Sequence, residues 1–168
     1  MIFGSTAFVL FHTALSLIAI VTGLVVVRGL IRNDPLNGWT LWFVITTVAT
    51  TLTGFLFPFR GFTPAIGTGI VSTLVLAAMI PARYSFHFAG PWRRVYVIGA
   101  VISLWLNCFV LVVQAFQKVP ALNALAPQGK EPPFLIAQVI VLALAVVSGF
   151  LAVRRFRAAA AQQSLATG

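Results

Sequence analysis

The chain has 168 residues and a formal net charge of +9, yet 8% of its residues are charged and 60% are hydrophobic. With a mean hydropathy of +1.04, that balance excludes an ordinary soluble globular domain and predicts an all-α, polytopic membrane protein forming a single transmembrane domain over residues 1–168. The eleven Lys and Arg residues sit at the ends of apolar runs, which fits membrane topology and argues for no nucleic-acid partner.

Five apolar runs are long enough to cross a hydrocarbon core, which takes roughly 20 helical residues. The first covers 3–30 and closes at Arg28, Arg32 and the turn-like Asn33-Asp34-Pro35. No basic stretch precedes it, so it is expected to be a retained span rather than a cleaved signal. The second, 39–57, contains five threonines between Thr46 and Gly54. Thr46, Thr50 and Thr53 recur at helical spacing and mark a face that lipid cannot satisfy. The third covers 65–84, with Pro81 either ending it or kinking a helix that continues toward His87. The fourth covers 92–117, and the fifth, 134–153, opens at Pro132-Pro133 and stops at Arg154, Arg155 and Arg157.

Charge orients this bundle of five transmembrane helices. Arg28, Arg32, Arg83, Arg93, Arg94, Arg154, Arg155 and Arg157 fall on one side and Arg60, Lys118 and Lys130 on the other. The bias predicts N-out, C-in in a bacterial-type inner membrane. Trp39, Trp42 and Trp92 lie near the arginine-rich ends, as interfacial anchors would. The apolar stretch 119–125 is expected to lie along the opposite interface or to cap the bundle.

Polar side chains concentrate in the half away from the arginines. Counting about 1.5 Å per residue, His12, Thr50, Ser72 and Asn107 lie about 12 to 17 Å from that end, and Thr53, Thr68, Gln114 and Gln138 about 6 to 8 Å. Intramembrane polar groups face a bundle interior or a cavity. His12, Thr50, Ser72, Asn107, Gln114 and Gln138 are therefore the candidate lining of an outward-facing polar groove for a small apolar or amphipathic ligand, or for a partner subunit. Plain interhelical hydrogen bonding accounts for the same residues, and the ridge Gly69-Thr73-Ala77 suits helix docking within this chain, in a homo-oligomer or in a larger complex.

His12 is the only candidate metal ligand at membrane depth. It has three readings: a haem ligand, a proton-handling residue beside a quinone, or a neutral imidazole bonded to a neighbouring helix. His87 lies at the other end of the third run, so one chain cannot bring both rings to one haem. Arg60, between Phe59 and Phe62, and the pair Arg93 and Arg94 are the candidate surface groups for anions or lipid headgroups. Cys108 is the single cysteine, which excludes an intramolecular disulfide and a paired-thiol cycle.

The remaining chemistry is sparse. Asp34 and Glu131 are the only acidic residues, and both lie between runs, so no carboxylate at membrane depth can carry protons or bind a coupling cation. No metalloprotease helix motif, phosphate-binding loop or nucleophile–base–acid set is present. No catalytic residue is assigned. The expected function is non-catalytic ligand or partner binding; the alternatives are a haem- or quinone-binding electron-transfer subunit and a purely structural accessory subunit.

Overall fold

The computed structural model describes residues 6–57 and 64–157, and every regular element among them is helical. The order is α1 (Thr6–Ile31), α2 (Asn37–Phe55), α3 (Pro64–Tyr84), α4 (Trp92–Lys118), the short α5 (Pro120–Leu125) and α6 (Pro132–Arg155). Four helices are long and apolar enough to cross a membrane: α1, α3 from Ile66 onward, α4 and α6. In lipid, a helix is the only open-ended structure that satisfies its own backbone. α2 has 19 residues, but its six threonines together with Asn37 and Gly38 dilute its apolar content. Arg60 lies outside the described residues.

The helices α1 to α4 close a ring in chain order, with α4 returning to pack on α1, and α6 lies against both α1 and α4. Because lipid is as apolar as leucine, such helices associate through close packing where small residues let backbones approach. Gly23 of α1 is one such place. A Cβ there would stand 2.8 Å from the Phe43 ring of α2 and 2.9 Å from Leu104 of α4, so hydrogen in place of a methyl group lets three helices meet. Gly99 of α4 takes Met79 of α3 in the same way, with 2.9 Å to its Cβ.

Pro81 does not end α3, which continues to Tyr84. The carbonyl of Pro81 then accepts the N–H groups of Ser85 and Phe86, closing the helix into the segment before α4. His87 and Phe88 follow with φ of 47° and 62°. This left-handed pair turns the chain so that the Phe88 ring enters the core, where it is fully buried.

Burial is uneven along the bundle. In α1 it begins at Ala19, in α2 it stops at Thr47, and in α6 it is confined to Ala152. Phe43, Met79, Phe88, Tyr96, Val97 and Phe156 are almost wholly enclosed, and all lie toward the arginine-rich end. The outer side of α6 carries Ile136, Val139, Leu144, Val147 and Phe150, each more than half exposed.

Candidate functional site

The arginine-rich end is tied together by side chains from α2, α3 and α4 and from the segments that follow α3 and α6. Asn37, the first residue of α2, accepts a hydrogen bond of 2.6 Å from Nη2 of Arg83, and Nη1 of Arg83 donates to the Tyr96 hydroxyl at 3.4 Å. Tyr96 and Thr40 hydroxyls lie 3.4 Å apart, and Thr40 donates to the Pro35 carbonyl at 2.9 Å. The guanidinium of Arg83 stands 5.5 Å from the ring centres of Tyr84, Phe88 and Tyr96. The Phe156 ring completes the aromatic group, edge-on to Phe88 at 5.5 Å.

Arg93, expected as a headgroup contact, turns inward. Its Nη1 donates to the Val153 carbonyl at 3.0 Å and also to that of Phe156, capping the C-terminus of α6, where a cation is favourable. Arg94 is exposed. On α4 and its flank, Trp92 stacks on Phe86 with the ring centres 3.9 Å apart. Trp39 and Trp42 remain exposed on the outside of α2.

At the opposite end the candidate residues are distributed over several helix seams. Nδ1 of His12 lies 2.8 Å from the Thr53 hydroxyl, which joins α1 to α2. Thr53 has one proton and a shorter contact, 2.7 Å, to the Ala49 carbonyl one turn back. Both contacts are hydrogen bonds only if Thr53 donates to Ala49 and Nδ1–H of His12 donates to Thr53. Nε2 then keeps its lone pair. The imidazole also meets Phe57 edge-to-face at 5.1 Å and covers Gly54, where a Cβ would come to 3.7 Å from it. Ser72 pairs with the Thr51 hydroxyl at 2.8 Å and joins α2 to α3. Gln138 of α6 donates through Nε2 to the Phe109 carbonyl of α4 at 3.2 Å. Gly69 packs against the Phe55 ring, whereas Thr73 and Ala77 of the same ridge face outward.

Four of the six candidate lining residues have a buried polar atom with no hydrogen-bond partner: Thr50 Oγ1, Asn107 Nδ2, Gln114 Oε1 and Gln138 Oε1. Thr47 and Ser103, one turn or less from the Phe43–Gly23–Leu104 contact, share this property, as does Nε1 of Trp105. Such atoms are rare because each forfeits the hydrogen bonds it made in water, at about 1 to 3 kcal/mol apiece.

A recess of about 290 Å³ opens among α3, α4, α5 and the start of α6, and none of His12, Thr50, Ser72, Asn107, Gln114 and Gln138 is in its lining. Its walls include Thr68, Phe109, Val113, Phe116, Gln117 and Phe134, and its rim is Asn123 of α5 with the Ala126–Gly129 turn. Asn123 holds α5 in place by donating to the Phe116 carbonyl at 3.1 Å. The 119–125 stretch thus forms a short cap over α4, at one edge of this recess. Among the described residues, no three His, Cys, Asp or Glu side chains gather as a metal site. No protein-family model, curated protein or solved structure matches the chain.

The Arg83–Asn37–Tyr96 group was not among the candidates drawn from sequence. Arg83 lies in the last turn of α3, as Arg28, Arg154 and Arg155 lie in the last turns of their helices, so its position in the sequence does not set it apart.

Proposed function

We propose that the protein is a non-catalytic membrane module of five spans, α2 being the fifth, which holds a small apolar or amphipathic molecule in the recess between α4, α5 and α6. The observation that carries this reading is the recess itself, where Phe109, Phe116 and Phe134 make apolar walls and Gln117 and Asn123 supply polar groups. The unpartnered amide atoms of Asn107, Gln114 and Gln138 lie on the same two helices, α4 and α6, but outside the recess lining. Aromatic walls with few polar groups suit a mainly apolar guest. The volume is near the lower limit for ligand pockets, about 300 Å³, so the guest is small or only partly enclosed.

The eight-to-three arginine and lysine bias supports a topology with the N-terminus outside and the C-terminus in the cytoplasm of an inner-membrane-bearing cell, which puts the recess on the extracytoplasmic side. Native mass spectrometry of gently extracted protein tests the binding reading. Wild-type protein should carry a co-purifying small molecule that Val113→Trp, which fills the recess, and Gln117→Leu, which removes a polar group from its wall, lose while remaining folded. An unchanged set of bound molecules in both variants contradicts it.

A second reading rests on His12, whose Nε2 lone pair is left free by the bond to Thr53. A haem iron would take that nitrogen directly, and a quinone would need the other tautomer. Purified protein with a Soret band that His12→Ala abolishes would establish the haem; a colourless preparation without extractable quinone removes this reading. The accessory-subunit reading requires the Thr73–Ala77 face to be covered by another chain, and a stable monomer in mild detergent argues against it.

A further inference from the structure

Arg83 is 4% exposed and carries a guanidinium cation. A buried cation normally sits against a carboxylate. None is available here: Asp34 and Glu131 are the only acids in the chain, Asp34 accepts the Leu36 N–H, and Glu131 accepts the Gln128 and Lys130 N–H groups beyond the other end of the bundle. Among the described residues the partners of Arg83 are all neutral, namely the Asn37 amide oxygen, the Tyr96 hydroxyl and three aromatic rings. Two acceptors leave several of the five guanidinium N–H donors unused.

The surroundings add positive potential. Asn37 opens α2, whose 19 residues direct the positive end of the helix dipole at the guanidinium. The first α2 backbone N–H to find a carbonyl is that of Thr40, so those of Asn37, Gly38 and Trp39 have no such partner among the described residues. A Cβ on Gly38 would meet nothing within 4 Å. A recess of about 250 Å³, lined by Asn37, Leu41, Arg83, Tyr84 and His87, joins the guanidinium to the outside at this point. Its rim is amphipathic, since Leu41 and Tyr84 are nearly half exposed and lie beside the exposed Trp42.

From these observations we infer that the Arg83 recess is a binding site for a phosphate-type oxyanion, held by the guanidinium and the N-terminal end of α2. The anion neutralises the buried charge and takes up the donors that the protein leaves open. The headgroup of an anionic phospholipid and free inorganic phosphate offer the same oxygens. A lipid would also lay its chains along the exposed apolar side of α2.

The test uses the whole protein in mild detergent, with native mass spectrometry read against added phosphatidylglycerol, phosphatidylcholine of the same chains, and inorganic phosphate. Wild-type protein should retain phosphatidylglycerol at least tenfold better than phosphatidylcholine. Asn37→Asp places an internal carboxylate on Arg83 and should erase that preference. Tyr84→Glu, at the exposed rim, provides a second introduced carboxylate with the same expected loss should Asn37→Asp fail to fold. Equal retention of the two lipids with phosphate bound by wild type, and lost in the carboxylate variants, identifies the free anion as the occupant. Neither lipid preference nor phosphate binding in wild type, or undiminished binding in the folded carboxylate variants, overturns the proposal.

Discussion

The two ends of the bundle are built from similar residues and organised in opposite ways. At the arginine-rich end, Arg83, Asn37, Thr40 and Tyr96 find one another across α2, α3 and α4, and Phe43, Phe88 and Phe156 fill the space between. At the other end His12, Ser72 and Gln138 each bridge a separate pair of helices, and amide and hydroxyl atoms are left enclosed without partners beside an open recess. The difference shows that polar content alone does not identify a site in a membrane bundle. One end gathers its polar groups into a single connected cluster, and the other spreads them over separate helix seams, with an apolar-walled recess between α4, α5 and α6.

If the arginine-rich end is the structural anchor, truncation there should have the largest effect. Phe43→Ala removes a fully buried ring from the junction of α1, α2 and α4 and is expected to cost about 3 to 5 kcal/mol. Phe134→Ala, at the recess wall, should cost much less, and equal losses in denaturant titrations of reconstituted protein would break the comparison. Gly23→Val drives two methyl groups into the Phe43 and Leu104 contacts and should cost about 1 to 3 kcal/mol by the same measurement. His12→Ala loses the bridge to Thr53, about 0.6 kcal/mol for an interhelical hydrogen bond in a membrane, together with the edge contact on Phe57, and should cost far less than Phe43→Ala. A loss as large as that of Phe43→Ala would mean that the open end is structural as well.

The smallest expected effect concerns the turn at the rim of the recess. The Glu131 carboxylate is held below its ordinary value of 4.5 by the backbone N–H of Lys130 first, and by others including that of Gln128. Because its folded value is depressed, this tie is complete at neutral pH and is lost only as pH falls through the lowered value. Glu131→Gln should therefore speed hydrogen exchange at Gln128 and Lys130 at neutral pH while leaving overall stability unchanged. Unaltered exchange there would mean that the carboxylate does not order the turn.

Much of this architecture was legible in the sequence because lipid imposes a simple rule: long apolar runs must be helices. The long helices followed from that rule, whereas for 119–125 the sequence left an interfacial segment and a cap equally open. The interior arrangement did not, for a physical reason. Helical spacing places Thr46, Thr50 and Thr53 near one another on α2, but a threonine hydroxyl reaches its own helix carbonyl as readily as a neighbour. Thr46 bonds back to Trp42, Thr53 receives His12, and Thr50 has no partner. Arginines are likewise ambiguous from spacing alone. Arg93 and Arg94 are adjacent in sequence, yet one caps α6 and the other is exposed. Arg83 was read only as a topological charge because its three aromatic neighbours come from α3, α4 and the loop between them.

The contrast between a closed end and an open end is tested most directly by thiol labelling in intact membranes. In a Cys108→Ser background, Val113→Cys places a thiol in the recess wall and Ser103→Cys places one in the packed interior, where the native side chain is 1% exposed. A membrane-impermeant maleimide should modify the Val113→Cys protein readily and leave Ser103→Cys untouched. Equal labelling of the two positions, or protection of both, would contradict an open recess above a closed core.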